Sequence, residues 1–390
     1  MNLVKLENIT KMMKGQVESG EVKGASAYVL RGGHPIYRAN VGMADEARGI
    51  KWENDTIVRL YSATKNITAA AVMILFDRGL LDISDKASWY LEGFKNQTVL
   101  TENGSEPVKN EVTIKNLLDM TSGCCYPDTG FAAGAEMQKL YDKMAADVEA
   151  GKPWDTVALA NEIGKQPLAF QPGERWLYGT SADVLGAIVE VVSGKKFGDF
   201  LRMELFEPLG MRDTDFWCPP DKLNRLAENY EFRDGELVPC GWQHLGLTYL
   251  CRKKPEFESG GAGLLSTMDD MAAFGSMLLS KGVYNGRRIL SENAVRYMTT
   301  PQLNEKQLVS YDWEDKRGYN YGNLMGIAAD LTQTGPSVHL GEYGWGGWLG
   351  CEFVNDPEGG YTFLYFIQRC GGLGARPIRL IKQIVYGAED

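Results

Sequence analysis

The sequence predicts an α+β protein in which segments from both ends of the chain build one antiparallel sheet, flanked by helices, and the middle supplies a mostly helical insertion. Three observations carry this. Apolar-rich runs broken by glycine occur at residues 25–41 and again after about residue 318. Helical periodicity behind Ser, Thr or Asp caps fills most of residues 56–310. Helical stripes also occupy both termini, and elements in that order fold as a sheet layered with helices. The sheet domain is expected to take residues 1–60 together with 318–390. The helical domain is expected to take 61–317, with the Ser62 helix at the junction.

Taken in order, Leu6, Ile9, Met13 and Val17 recur at helical spacing until Gly20 and Gly24 break the pattern. Residues 25–30 and 35–41 flank Arg31-Gly32-Gly33-His34 and read as a hairpin. Next comes Arg59-Leu60-Tyr61-Ser62-Ala63-Thr64-Lys65-Asn66, which opens a stripe of Ile67, Ala70, Ala71, Ile74 and Leu75 that closes at Asp77-Arg78-Gly79. Further helices are expected over 113–120, 136–147, 155–163, 181–192, 197–204, 267–279 and 291–298. Residues 319–321, 325–328, 351–354 and 361–367 read as strands, with 356–360 as a turn and 378–386 as a closing helix. Neither an internal repeat nor a low-complexity linker interrupts the chain.

Composition excludes several function classes. A chain of 390 residues has room for two or three units with sizeable cores, and 44% hydrophobic with 24% charged residues is ordinary for a globular protein. The net charge of -10 argues against a broad nucleic-acid footprint or a polybasic membrane surface. No apolar run in the first 30 residues matches a signal peptide, and the most apolar segment, 69–76, is too short to span a bilayer, so a cytoplasmic location is expected. Seven cysteines with no Cys-x-x-Cys spacing read as buried reduced thiols, and no ligand cluster suggests a metal or other cofactor.

Ser62 and Lys65 carry the chemistry. Residues at i and i+3 of a helix share a face, so Lys65 can reach the Ser62 hydroxyl, a nucleophile that needs a neighbouring base or positive field. The alternative for Ser62 is a plain N-terminal cap. A second Ser-x-x-Lys at Ser193-Gly194-Lys195-Lys196 follows a helix whose end Gly194 marks, which puts its serine at the wrong end of the dipole. Tyr178, in the irregular segment after Pro172-Gly173, is the candidate proton relay. Tyr343-Gly344-Trp345-Gly346-Gly347-Trp348 is the candidate oxyanion segment, its Trp348 amide pairing with that of Ser62; the other reading is a bulge among packing aromatics. Trp242, Trp313, Tyr319, Tyr321, Tyr343 and Trp348 are candidates for an apolar cleft or for core. Only His34, His244 and His339 are available for a histidine triad, and no Gly-x-Ser-x-Gly elbow is present.

Five landmarks occur in an order that resembles the serine β-lactamase and penicillin-binding-protein superfamily. They are Tyr61 to Lys65, Leu117 to Gly123, Pro172 to Tyr178, Gly260 to Thr267 and Trp345 to Gly347. The chain is most similar to the class C branch and the β-lactamase-like carboxylesterases, over roughly residues 10–385. The resemblance implies a β-lactamase/transpeptidase-like fold. It further implies Ser62 as acylated nucleophile, Lys65 as its polarising lysine, Tyr178 as relay, and the Ser62 and Trp348 amides as oxyanion hole. Thr180, Trp345, Gly346 and Gly347 fall at the motif positions that meet the substrate, and no cofactor is implied.

Two departures shape the functional expectation. Tyr178-Gly179-Thr180 lacks the asparagine that many members have for a substrate amide, and Trp345 stands where many β-lactamases and peptidases have a lysine for the substrate carboxylate. Exchanging an ammonium for an indole removes a contact typically worth ~1.5–3 kcal/mol and adds apolar area, which favours a neutral acyl donor. A carboxylesterase acting on small apolar esters is therefore expected. A β-lactamase or D-amino-acid peptidase, an acyltransferase and a non-catalytic penicillin-binding-type sensor are the alternatives.

Overall fold

The computed structural model describes residues 1–127, 129–241, 244–247 and 251–389. Its largest sheet contains β1 (Gly24–Arg31), β2 (His34–Asp45), β3 (Ile50–Lys51), β4 (Tyr319–Gly322), β5 (Met325–Ala328), β6 (Tyr343–Gly344), β7 (Cys351–Asp356) and β8 (Tyr361–Phe366). The spatial order is β4-β5-β6-β7-β8-β1-β2-β3, every pair antiparallel. The first and last segments of the chain meet at the β1/β8 pair, which runs from Ser26 opposite Phe366 to Arg31 opposite Tyr361. The sheet is thus drawn from residues 24–51 and 319–366, as the distribution of β-rich runs predicts.

Side-chain alternation sorts the layers. Ala25, Ala27 and Val29, with Tyr361, Phe363 and Tyr365, face one side of the sheet, where they pack with Leu6, Ile9 and Met13 of α1 (Leu3–Glu18). Tyr28, Leu30, Leu364 and Phe366 face the other, larger core. There α2 (Thr64–Asp77) is buried at every position from Thr64 to Leu75, so it is a central helix rather than an amphipathic one. α3 (Ser181–Ser193) packs against it and ends at Gly194 in the left-handed conformation, which leaves Ser193 at the carboxyl end.

The structure corrects the predicted domain division at α4 (Met268–Leu279). Read as part of the helical domain, this helix lies on β7 and β8, with Phe274 against Phe353 and Gly275 against Thr362. A Cβ at Gly275 would press on both Thr362 and Phe353, so its missing side chain permits the approach. Short pairings such as Val58–Arg59 with Leu265–Ser266, and hairpins at 98–107 and 230–239, carry too few alternating residues to be read as strands. Cys124, Cys125, Cys218, Cys240 and Cys351 are buried, and no helix among the described residues is long and apolar enough to cross a membrane.

The closing helix α5 (Arg376–Tyr386) covers the sheet beside α1, and Asn2 N–H donates to the Ala388 carbonyl at 2.7 Å. It also brings Lys382 against Glu342 at 2.6 Å, an ion pair whose side chains are 3% and 1% exposed. Tyr319 donates to the same Glu342 oxygen at 2.6 Å. Lys382→Met is expected to destabilise the protein by about 3–5 kcal/mol, because it strands a buried carboxylate. Denaturant unfolding measures the loss, and replacing Glu342 by an apolar residue in the same chain should recover part of it.

Candidate active site

The chain reaches Ser62 through a strained turn. Tyr61 takes a left-handed backbone conformation, φ +47°, a costly geometry for a residue with a bulky side chain. Its ring packs against both His244 and Trp348, with centroids 5.9 and 5.5 Å away. Ser62 sits in the single 3-10 turn Tyr61–Ala63 that opens α2, and its hydroxyl caps nothing. It accepts a hydrogen bond from Lys65 Nζ at 3.2 Å.

Lys65 is fully buried. Its Nζ also donates to the Gly261 carbonyl at 2.7 Å and to Tyr126 Oη at 3.4 Å, and lies 4.6 Å from the centre of the Tyr178 ring. The Gly261 carbonyl is fixed by Asp183, an α3 residue that accepts from Gly261 N at 2.9 Å and from Ser259 Oγ at 2.6 Å. Burial raises the Asp183 carboxyl above its ordinary range, opposed by those bonds and by Lys65. Burial also keeps Tyr126 far above the usual phenol range, with Asp183 and Tyr178 adding to the effect. Of the two tyrosines beside Lys65, Tyr126 is the more deeply buried, whereas Tyr178 is half-buried at the cleft.

Tyr178 hangs from the 120–125 loop. Leu177 N–H donates to the Met120 carbonyl at 2.9 Å and Thr180 N–H to the Cys124 carbonyl at 3.1 Å. Between them Gly179 passes so close to Cys124 that any Cβ would overlap its carbonyl oxygen. Trp345 Nε1 then donates to Tyr178 Oη at 2.9 Å.

Ser62, Tyr178 and Trp348 line one cleft of about 620 Å³, with Tyr61, Tyr126, Phe131, Trp176 and Trp313 among its aromatic walls. Lys65 lies beneath it. Asn66 ties the start of α2 to the Trp345 segment, donating to the Ala63 carbonyl at 2.8 Å and the Trp345 carbonyl at 3.2 Å.

Two of the four expected substrate contacts, Thr180 and Trp345, are buried away from the cleft. Thr180 is 0% exposed and its hydroxyl is sealed in the core, because the backbone bond that holds Tyr178 turns it inward. Trp345 is 4% exposed and packs behind Tyr178 against Tyr321 and Trp313, so its indole backs the relay rather than forming the cleft surface. The two glycines admit the protein's own groups. A Cβ at Gly346 would strike the Glu352 carboxylate, and one at Gly347 would overlap the Leu60 carbonyl. Tyr321 and Tyr343 are core, Tyr319 lines a separate cavity behind Trp345, and Trp242 falls outside the described residues. His244 does line the cleft, its ring tilted against Trp348 at 4.5 Å, whereas His34 is exposed at the start of β2 and His339 bonds to Asp356 at 2.8 Å.

Sequence reasoning missed Tyr126, Asn66 and Asp183. Asp183 stands in the first turn of a helix, where an acidic residue reads simply as a partner for the dipole. Only its approach to Gly261, part of a glycine-rich landmark, could have drawn attention to it.

The model of the family described as Beta-lactamase matches residues 9–385. The chain belongs to the beta-lactamase family. Among its relatives, protein Rv1367c of Mycobacterium tuberculosis is 29% identical over 371 residues, covering 91% of this chain and 88% of its own. Esterase EstB of Burkholderia gladioli is 30% identical over 355 residues, covering 87% and 84%. The solved structure of EstCE1, described as a hydrolase with promiscuous acyltransferase activity, superposes with a TM-score of 0.82 at 22% identity over 98% of this chain and 99% of its own. The fold is that of β-lactamases and penicillin-binding proteins, and this beta-lactamase-family chain is placed with the serine hydrolases of that type.

In this member of the family, Gly347→Ala is expected to push the Leu60–Ser62 turn out of place. Ester or lactam turnover should fall by about 10²-fold, as for other small displacements of reacting groups. A circular dichroism spectrum like that of the parent protein would show that the fold survives.

Proposed function

We propose that the protein is a serine carboxylesterase that cleaves small apolar esters through an acyl-enzyme on Ser62. Ser62 Oγ bonds to the ester carbonyl carbon while its proton passes to the Lys65–Tyr178 pair. The amides of Ser62 and Trp348 accommodate the oxyanion. As the C–O bond breaks, Tyr178 returns the proton to the leaving alcohol. Water then attacks the acyl carbon with the same groups working in reverse, which releases the acid and restores Ser62.

One observation carries the choice of substrate: the bond from Trp345 Nε1 to Tyr178 Oη. It commits the Trp345 indole to Tyr178 behind the cleft wall, so this position presents no ammonium to a substrate carboxylate. The aromatic lining supplies apolar contact for an uncharged ester, and the relative EstB is named an esterase. A cleft of about 620 Å³ also has room for an acceptor alcohol beside the acyl group, so transfer to an alcohol is the second reading.

Intact-protein mass spectrometry with parallel turnover assays tests the proposal, using a short-chain nitrophenyl ester and a cephalosporin in separate reactions. The expected result is fast ester turnover, an adduct on Ser62 that is absent from Ser62→Ala, and little response to the cephalosporin. Efficient cephalosporin hydrolysis with slow ester turnover would move the assignment to lactams or peptides. Product that forms only with added alcohol would move it to acyl transfer. Tyr178→Phe is expected to slow both acylation and deacylation, lowering kcat by about 10²–10⁴-fold, as pre-steady-state kinetics would resolve.

A further inference from the structure

The ammonium missing from the third motif has a counterpart one layer behind it. Lys316 ends the short turn Glu314–Lys316, between Trp313 of the cleft and strand β4. Its Nζ lies 4.8 Å from the centre of the Trp345 ring and 5.6 Å from that of Tyr319. The same indole donates through Nε1 to Tyr178 Oη, and Tyr178 in turn covers Lys65. Lys316, Trp345, Tyr178 and Lys65 thus form one continuous stack from the rear of the sheet domain to the base of Ser62.

A cation over an aromatic face is held by the ring's negative quadrupole, and in return it draws electron density from the ring. For an indole, that withdrawal makes the N–H a stronger donor. A stronger donor stabilises the oxygen it points at most when that oxygen is charged. Resting on the esterase reading, we infer that Lys316 is a positioning residue for the reaction, strengthening the Trp345 N–H bond to Tyr178 and so favouring the phenolate form of Tyr178 during proton transfer.

The surroundings of Lys316 suit this task. It lines a cavity of about 310 Å³ with Glu352 of β7, Glu342 ahead of β6, Lys382 and Arg379 of α5, Tyr319 of β4 and Asp315 of its own turn. Arg379 is engaged by Asp315 at 3.7 Å and Lys382 by Glu342 at 2.6 Å. Among the described residues Glu352 has no ion-pair partner within that distance range, and it packs against Gly346 beside the indole. Burial lowers the Lys316 ammonium and Lys382 adds to the effect, while Glu352 opposes it first, followed by Asp315 and Glu342. Burial raises Glu352 to about 7, opposed by Lys316 and Lys382, with Asp315 adding to the rise. Glu352 is thus the carboxylate that most opposes the effect of burial on the Lys316 ammonium, and Trp345 is the ring face that the ammonium meets.

The test is a double-mutant cycle between Lys316 and Trp345, read by the pH dependence of nitrophenyl acetate hydrolysis. Lys316→Met is expected to lower kcat about five- to twentyfold, leave KM within about twofold, and displace the rising limb of the kcat profile to higher pH. Lys316→Arg should restore most of the rate. In a Trp345→Phe background, where no indole N–H exists to be strengthened, Lys316→Met should add little. A second readout needs no turnover: the tyrosinate absorbance that disappears in Tyr178→Phe should titrate at higher pH in Lys316→Met than in the parent protein. If Lys316→Met fails to fold, Lys316→Gln takes its place. An unchanged pH limb together with an unchanged tyrosinate titration overturns the inference, and so does an equal loss in the Trp345→Phe background. A folded parent protein that ignores esters overturns the esterase reading instead, and the tyrosinate titration then still decides the role of Lys316.

Discussion

Enclosing the terminal nitrogen of a lysine strips it of water, and the active region is built around replacing that water. Lys65 Nζ has three donors, and it meets the Gly261 carbonyl, the Ser62 hydroxyl and the Tyr126 phenol. Each acceptor comes from a different part of the chain. The carbonyl must be held, hence Asp183 beneath Gly261; the phenol must stay neutral, hence its burial; the hydroxyl must face the cleft, hence the left-handed turn at Tyr61. A lysine left dry without these partners would carry a desolvation cost of several kcal/mol. Placement of the Ser62 hydroxyl and stability of the helical core therefore depend on the same contacts.

The aromatic wall works in a similar way. Trp176, Tyr178, Trp313, Tyr321 and Trp345 meet edge to face, tilted or, for Trp176 with Tyr178, stacked, at centroid distances of 5.1–6.2 Å. Such packing fixes ring planes, because the edge of one ring is attracted to the face of the next. It follows that Trp345 cannot turn its indole toward a ligand without disrupting its neighbours. The residue that replaces a charged group of the family is committed to the protein interior.

Much of this was legible in the sequence where local rules operate. The helix at Ser62, the hairpin around Gly32-Gly33 and the strands after residue 318 follow from spacing and turn chemistry, and the five landmarks are legible through the family resemblance. What escaped is set by contacts distant along the chain. Nothing near Met268 announces that α4 will lie on the sheet, since the space for it is made by Gly275 against Thr362. Likewise Thr180 looks like a cleft residue from its place after Tyr178, and only the backbone bond to Cys124 shows that it points inward. The direction in which an indole faces is a matter of packing, and a motif letter does not carry it.

The pairing of β1 with β8 has a further consequence during synthesis. A ribosome makes the nucleophile helix and both tyrosines well before residue 361, yet until then β1 has only β2 beside it and presents an open strand edge. The nascent chain must carry that edge, and the apolar face behind it, through most of translation. Closure of the sheet comes last, in a single long-range step of the kind that slows folding and exposes chains to aggregation. A cell that produces this protein slowly, or with a chaperone guarding the first strands, should recover more of it than one that produces it fast.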